Sequence, residues 1–530
     1  MPPRRALAQA LGLLLVLCPA VSRAQSPGWE ELLSAAERAW DRGQVADAER
    51  LYLGAVTQAE AFGDADLRLA RSLTALGLFY RERGRPREAA PILHRALSVT
   101  EKAVPPDDPR LIANLSNVGV AWLQQGLVSD AEPVFRRALA IAEKKLPPDD
   151  LATGVSMVNL GAVYQARARY AEAEPLYRGA LQIQEKKLGP ADPEVARTLS
   201  RLGGLYREQG RYAEAGPLYQ RALVIVESTL GPDHIRMALP MAGLAALYNA
   251  QGRYRDAETL YGRTLAIQER ALGPDHPALA VTLNDVGDLF RVQGRYVDAE
   301  PLLVRSIAIR EARMGPRHPD VGVTWGNLGL VYFEERRYPE AEDAYRHALD
   351  ILDPGPGRES PAMAEPLNNL AELYRVQGRY AEAEPLYRRS LVIRERTLGP
   401  DHPSVATILN NMAALNHLEG RYAEAEPLYR RTLVVLEKSV GPEHLRVGIT
   451  LNNLAEVYKA EGRWAEAATI YPRAIAIVEK SLGPDHPTVA SLLENYAAAL
   501  RRTQRDAEAL EADERARDIR TRHSQQNQRK

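Results

Sequence analysis

Six histidines that recur at one position of a repeated pattern are the residues of this sequence that most resemble a metal site. They are His234, His276, His318, His402, His444 and His486, which are separated by multiples of 42 residues. Equivalent positions in stacked repeats lie about 8–10 Å apart, whereas the ligands of one metal ion converge to within about 2 Å of it. We therefore predict that these histidines cap helices and that the protein holds no metal and no other cofactor.

A register of asparagines carries side chains that are suited to binding another polypeptide. Its members are Asn117, Asn159, Asn327, Asn369, Asn411, Asn453 and Asn495. Asparagine is a poor residue for the middle of a helix, but its amide both donates hydrogen bonds to a peptide backbone and accepts them from it. We predict that this register faces a binding groove. Hydrogen bonds between neighbouring helices, which would stiffen the protein, are the alternative.

A second register is basic at six of its eleven positions and acidic at none, in a chain whose formal net charge is −1. Its candidate binding residues are Arg207, Arg291, Arg375 and Lys459. A row of cations predicts a protein or peptide partner with acidic or carboxylate groups. The alternative is that these cations only offset the dipoles of helix C-termini.

The sequence lacks the motifs of the common catalytic sites. It has no Walker loop, no G-x-S-x-G motif and no H-E-x-x-H motif, and Cys18 is its only cysteine. We predict that the protein is not an enzyme. The near balance of 68 basic and 69 acidic residues is unlike a nucleic-acid-binding protein and unlike a polybasic membrane anchor.

All of these registers belong to a 42-residue repeat that runs through almost the whole chain. The marker is the glycine of Gly-Arg-Tyr, whose register holds Gly84, Gly126, Ala168, Gly210, Gly252, Gly294, Arg336, Gly378, Gly420, Gly462 and Gln504. In the unit around Gly378, Leu367, Leu370, Ala371 and Tyr374 fall at i, i+3, i+4 and i+7 and form one apolar stripe. The pattern predicts about twelve helical hairpins, with the tyrosine registers of Tyr380 and Tyr387 packed in the core.

The spacing Leu370–Ala371–Tyr374–Gly378–Tyr380–Ala383–Tyr387–Ser390 resembles the tetratricopeptide-repeat pattern. The 42-residue period, the sequence LNNLA and the linker LGPDHP resemble the kinesin light chain subclass. The resemblance implies an all-α fold, a right-handed superhelical solenoid whose concave side is lined by the first helix of each hairpin. It also implies that asparagine at the matching positions holds the main chain of a bound peptide.

Departures from the repeat predict local differences. Ala168 and Arg336 replace the turn glycine, and Pro240 and Pro366 are expected to delay the start of their helices. The segment 353–361, DPGPGRESP, replaces the usual linker. We interpret it as a possible hinge, with an ordinary linker of equal length as the alternative.

The first 24 residues resemble an export signal. Arg4 and Arg5 precede an apolar run, and Ser22–Ala24 places small residues where a signal peptidase cleaves. We predict cleavage after Ala24, a secreted or periplasmic location, and no membrane span in the mature chain. An uncleaved anchor helix and lipid attachment at Cys18 are the alternatives. Residues 25–519 are predicted to form the solenoid, and 520–530 a disordered basic tail.

Together these features predict an exported scaffold that binds a partner protein or an extended peptide in its concave groove. The alternative function is a structural or assembly component of the cell envelope, which would use the convex face or the ends of the solenoid.

Overall fold

The computed structural model describes residues 28–353, 355 and 360–528, and within these ranges it contains helices and no strand. The predicted signal, 1–24, and most of the predicted hinge, at 354 and 356–359, lie outside the described residues.

The described residues form twelve consecutive helical hairpins, as the 42-residue period predicts. The first helices are α1 (Trp29–Asp41), α3 (Leu67–Glu82), α5 (Arg110–Leu123), α7 (Leu151–Ala166), α9 (Pro193–Glu208), α11 (Ala238–Ala250), α13 (Pro277–Val292), α15 (Pro319–Glu334), α17 (Ala364–Val376), α19 (Pro403–Leu418), α21 (Leu445–Ala460) and α23 (Pro487–Arg502). The second helices are α2 (Val45–Glu60), α4 (Pro86–Ala103), α6 (Val128–Lys145), α8 (Tyr170–Leu188), α10 (Tyr212–Leu230), α12 (Tyr254–Leu272), α14 (Tyr296–Met314), α16 (Tyr338–Leu352), α18 (Tyr380–Leu398), α20 (Tyr422–Ser439), α22 (Trp464–Leu482) and α24 (Asp506–Gln528). We number the hairpins as units 1 to 12.

In most hairpins a buried aromatic or leucine side chain of the second helix, usually tyrosine, packs against the first helix. Tyr387 is fully buried, and its register packs against a glycine or alanine of the first helix. A Cβ added at Gly329 would lie 2.7 Å from Cδ1 of Tyr345, so the ring needs a small residue opposite it. The predicted core position of this register is confirmed. The register of Tyr380 is half-buried and packs against the core as predicted, except at Tyr254, which is 37% exposed.

The turn inside each hairpin has the predicted left-handed conformation. Gly378 has φ of +75°, and the N–H of Arg379 donates to the carbonyl of Tyr374 at 2.8 Å. This is the bond that closes a Schellman motif. Ala168 and Arg336 adopt the same conformation at φ of +56° and +63°, and a residue with a Cβ pays about 1–2 kcal/mol for it.

The start of each first helix confirms the capping role of the histidines. The Nδ1 atom of His402 accepts a hydrogen bond from the N–H of Ser404 at 3.1 Å. The same bond is made by the other five members of the register. Where Pro240 and Pro366 lack the N–H that a first α-helical turn needs, 3₁₀ turns at Ile235–Met237 and Pro361–Met363 precede α11 and α17.

An arginine after most of the turns joins consecutive units. Arg379 stacks on the ring of Tyr374 at 3.8 Å and bonds both Glu382 of its own helix and Glu342 of the preceding unit. Equivalent contacts are made by Arg211, Arg295, Arg337 and Arg463. A cation held by two carboxylates and an aromatic face fixes how one hairpin sits on the next.

The C-terminal helix extends further than the sequence predicts. Disorder was expected from 520, but α24 continues to Gln528. Ile519 is buried, and Arg520 Nη2 donates to Oε2 of Glu494 in α23 at 2.6 Å. These contacts anchor the turn from which the helix continues.

The first helices lie on the concave side. Neighbouring first helices, such as α9 with α11 and α13 with α15, approach each other more closely than neighbouring second helices do. The closer spacing places them on the inside of the curve, as the resemblance implies. The outer side is formed by the second helices.

The solenoid coils far enough for its two edges to meet. One edge carries the turns inside the hairpins, and the other carries the linkers with their capping histidines. His276 Nε2 lies 3.3 Å from the carbonyl oxygen of Glu82, and His318 Nε2 lies 3.1 Å from that of Gln124. Since Nδ1 of each ring already accepts a bond, Nε2 carries the proton and donates. Both pairs are 194 residues apart, which is nearly five units of the array.

We call this edge-to-edge contact the seam, and it has two rungs. Unit 2 meets unit 7 at Gly84, His276 and Pro277, and unit 3 meets unit 8 at Gly126, His318 and Pro319. A Cβ added at Gly126 would lie 2.8 Å from the Pro319 ring, and one at Gly84 would overlap Pro277. The glycines therefore permit the close approach as well as the turn.

We predict that Gly84→Ala opens the first rung of the seam. Gly252 is the matched control, because its φ is +73° against +64° at Gly84 and nothing lies within 4 Å of an added Cβ. Both substitutions cost about 1–2 kcal/mol of backbone strain, but only Gly84→Ala also collides across the seam. Small-angle scattering should show a larger radius of gyration for Gly84→Ala alone, with the larger drop in melting temperature. Equal behaviour of the two variants would contradict the seam.

Candidate peptide-binding surface

The seven asparagines of the predicted groove register lie along the concave side. Each occupies the middle of a first helix, and each side chain is half-buried. Their amides are therefore neither sealed in the core nor fully free in solvent.

Some of these amides form bonds between neighbouring first helices. The Nδ2 of Asn327 donates to Oδ1 of Asn284 at 2.9 Å, and the Nδ2 of Asn411 donates to Oδ1 of Asn368 at 3.2 Å. Asn453 approaches Asn410 in the same way at 3.5 Å. We call these hydrogen bonds between neighbouring first helices the ladder. They are the bonds that the sequence analysis gave as the alternative to a binding groove. An amide has two N–H donors and two acceptor sites, so these amides keep unused sites even at Asn369 and Asn453, whose Oδ1 atoms also accept bonds from Asn368 and Asn452.

The asparagine and basic registers meet near both ends of the array. Asn117 Oδ1 accepts a hydrogen bond from Arg81 Nη1 at 3.4 Å, and Asn495 Oδ1 accepts one from Lys459 Nζ at 3.1 Å. In each case the cation belongs to the unit before the asparagine. The two registers therefore lie side by side on one surface.

Most of the predicted basic row is neutralised within its own helices. Arg291 pairs with Asp288 at 2.8 Å, Arg375 with Glu372, and Lys459 with Glu456 at 3.0 Å. Every one of these acids lies three residues before its cation, which places it on the same helix face. The sequence analysis considered the basic register alone and therefore missed these acidic partners. Their constant spacing of three residues before each cation would have predicted the pairs.

Arg207 is the exception in the basic register. Its Nε is buried and has no hydrogen-bond partner in the part of the chain that the structure describes. Arg207 lines a cavity of about 350 Å³ with Asn249, Asp285 and Asp288. The cavity joins the inner surfaces of units 5, 6 and 7 and brings both predicted registers to one place, since Asp285 occupies the asparagine register.

Asp285 contributes a carboxyl group to this cavity. Burial raises its pKa to about 6, and the nearby charge of Arg207 acts in the opposite direction. A carboxylate whose pKa is raised by burial destabilises the folded state when it is ionised.

Two further observations concern metal binding and membrane-spanning helices. Across 28–353, 355 and 360–528, no three histidine, cysteine, aspartate or glutamate side chains come together in a way that would hold a metal ion. Within the same ranges, no helix has the length and apolar character needed to cross a membrane. The surface that remains offers amides and a few cations, which suits hydrogen bonding to a polypeptide.

We predict that Asp285→Asn stabilises the protein at pH 7.5. The folded state binds more protons than the unfolded state between about pH 4 and pH 6, so this carboxyl lowers stability as pH rises through that window. Replacing it should raise the free energy of unfolding by about 1–2 kcal/mol at pH 7.5, after allowing for partial exposure. The gain should shrink toward pH 4 in denaturant titrations. Asp275→Asn, at an exposed linker position, is the control, and an equal gain there would contradict the assignment.

Comparison with known proteins identifies the repeat. The tetratricopeptide repeat model matches residues 73–144, 110–186, 152–223, 194–269, 237–312, 289–353, 362–438 and 446–522, well over half of the chain. The crystal structure of kinesin light chain nearly identical TPR-like repeats from Podosopora anserina is similar at 26% identity over 38% of this chain and 95% of that one, with a TM-score of 0.32. BtubC (BKLC) from P. vanneervenii is similar at 22% identity over 44% of this chain and 91% of that one, with a TM-score of 0.32. No curated protein matched. The chain belongs to the tetratricopeptide repeat family.

Proposed function

We propose that the protein is an exported interaction scaffold that binds an extended segment of a partner protein along its concave surface. The observation that carries the proposal is the row of half-buried asparagine amides on α5 and α7 and on the consecutive first helices α15 to α23. Membership of the tetratricopeptide repeat family supports a role in protein interaction. The proposal goes beyond family membership in two respects, which are binding in the concave groove and export.

The ladder supports binding rather than competing with it. By bonding Asn368, the amide of Asn411 is held in one orientation before any ligand arrives. A donor that is already oriented loses less conformational entropy on binding. Since one unit follows another at a fixed spacing, several similar bonds add along an extended chain.

The charge of the concave surface favours a partner that has few acidic groups. These groups would have to lie opposite the cations that are not already paired. Arg291, Arg375 and Lys459 already have carboxylate partners. Arg207 retains a buried Nε with no partner among the described residues. We therefore propose that a carboxylate of the bound segment meets Arg207, while main-chain amides meet the asparagines.

We predict that Asn369→Ala, Asn411→Ala and Asn453→Ala together weaken peptide binding at least tenfold. Peptides are first selected from a random displayed library on the wild-type protein, and affinity is then measured by fluorescence anisotropy. Three lost hydrogen bonds at about 0.5–1.5 kcal/mol each account for this loss. Failure to select any peptide, or full affinity of the triple variant, would overturn the proposal.

The matched control replaces the neighbouring asparagines Asn368, Asn410 and Asn452 by alanine. This variant removes the same ladder bonds, Asn411 to Asn368 and Asn453 to Asn410, but keeps the proposed groove amides. It should retain most of the affinity. If both triple variants lose affinity equally, the asparagines act by stiffening the solenoid and do not contact the ligand.

Export is proposed from the N-terminal sequence, and it has its own test. We expect the protein recovered from the periplasm or the medium to begin at Gln25, as measured by intact mass. Cys18→Ser is the control, because cleavage by the ordinary signal peptidase does not need this cysteine, whereas a lipoprotein does. A full-length mass, or loss of processing in Cys18→Ser, would contradict cleavage after Ala24.

A second candidate function is assembly through the convex face. Val392 and Val434 occupy equivalent positions of α18 and α20 and are 55% and 61% exposed. Apolar side chains at matching sites of adjacent outer helices favour contact with another surface. This candidate keeps the role in protein interaction but moves it to the other side of the solenoid.

A further inference from the structure

The seam changes at its third position. The next rung would join unit 4 to unit 9, through Ala168 and Ser360, which are the equivalents of Gly126 and His318. Both partners of the contact are therefore replaced at once. Ala168 brings a Cβ to the position where Gly126 has none, and Ser360 is too short to bond across the gap. Beyond this rung, no described residue lies within 4 Å of a Cβ added at Gly210, so among the described residues the seam is also open between units 5 and 10.

A cavity of about 610 Å³ lies where the seam opens. Units 4 and 5 form one wall, and units 9 and 10 form the other. The polar side chains of the lining are Gln165, Tyr170, Arg201, Glu208, Arg394, Thr397, His402 and Ser404. Alanines, Pro361 and Leu398 form the apolar remainder. The cavity is thus a product of two turns of the superhelix and exists in neither turn alone.

Two arginines, one on each wall, have unused hydrogen-bonding capacity. The Nε of Arg201 is buried and has no partner among the described residues. Arg394 makes one long contact, 3.4 Å, to the well-exposed carboxylate of Glu365. A guanidinium presents five N–H donors in a plane, so both side chains retain donors for a ligand.

The other polar groups of the lining are mostly engaged. Glu208, the acidic residue among the described lining residues, accepts a hydrogen bond from Gln165 at 2.9 Å, and Thr397 donates to the carbonyl of Ile393 at 2.8 Å. His402 uses Nδ1 for its helix cap, which leaves Nε2–H as a donor. Arg201, Arg394 and the Nε2–H of His402 therefore keep donors for a ligand, and two of these three groups are cationic.

We propose that this cavity is a binding site for a small organic anion that carries carboxylate groups. The opposed arginines supply the planar, charge-assisted donors that carboxylates prefer. The volume lies within the range of small-molecule sites, about 300–1,000 Å³, and is too large for a single inorganic ion. The apolar part of the lining suits a carbon body between the charged groups. A bound anion bridges α9 and α18 and closes the seam where the chain itself does not.

The test uses citrate, a tricarboxylate, as the probe in isothermal titration with the full chain. We expect saturable binding at one site per chain. Arg201→Gln with Arg394→Gln should weaken it at least tenfold. Arg197→Gln with Arg388→Gln is the charge-matched control, because it removes two arginines from the same helices, α9 and α18, that do not line the cavity. The control should bind citrate within twofold of wild type.

A second variant fills the cavity without removing a charge. Ala168→Gly with Ser360→His recreates the pattern of Gly126 and His318, and it places an imidazole opposite the carbonyl of Ala166. We expect this variant to keep or raise the melting temperature, to become more compact, and to lose citrate binding. It therefore tests the site even if the arginine variant folds poorly.

Three results would overturn the proposal. They are no saturable binding of citrate, equal binding by the wild type and the rung-restoring variant, and tighter binding of inorganic phosphate than of citrate. The last would mean that the cavity selects a compact inorganic ion and not an organic carboxylate. None of these results bears on the asparagine surface, which is tested by the selected peptides.

Discussion

The stacking of nearly identical hairpins is the constraint on which the rest of the structure depends. No hairpin buries its apolar stripe alone, and Tyr387 lies in a core shared with residues of the units on both sides, such as Tyr345 and Leu415. Because each unit is placed on the one before by nearly the same rotation and translation, the array must coil. After nearly five units its edges meet. The concave surface, the seam and the cavity are all consequences of one repeated operation.

The repeat forms the concave surface, and the candidate sites lie where single residues differ from the repeated pattern. Asparagine recurs on the concave side, but Arg201 and Asp285 occupy the same register and line the two cavities that carry unpaired or shifted charges. Likewise, Gly126 and His318 close the seam, whereas Ala168 and Ser360 leave it open. A regular array thus gains individual sites through a few substitutions at repeated positions.

What could be predicted from the sequence is what depends on near neighbours in the chain. The left-handed turn at Gly378, the cap at His402 and the delayed start of α17, which contains Pro366, each follow from the chemistry of one or two residues. The pairing of Arg375 with Glu372 could also have been predicted, because the two residues are three positions apart on one helix. The seam was not, because its partners are 194 residues apart and it depends on small rotations summed over the units between them. The cavity follows from the seam and was hidden for the same reason.

The contact between units 2 and 7 is the central claim, and a distance across it tests that claim most directly. Spin labels are attached to cysteines introduced at the exposed positions Arg83 and Asp275, with Cys18 replaced by serine, and their separation is measured by pulsed electron paramagnetic resonance. The account predicts one narrow distribution below about 25 Å, since the labelled edges touch. An uncoiled array would separate the labels by about 50 Å, five units at about 10 Å each, and a distribution centred there would contradict the account.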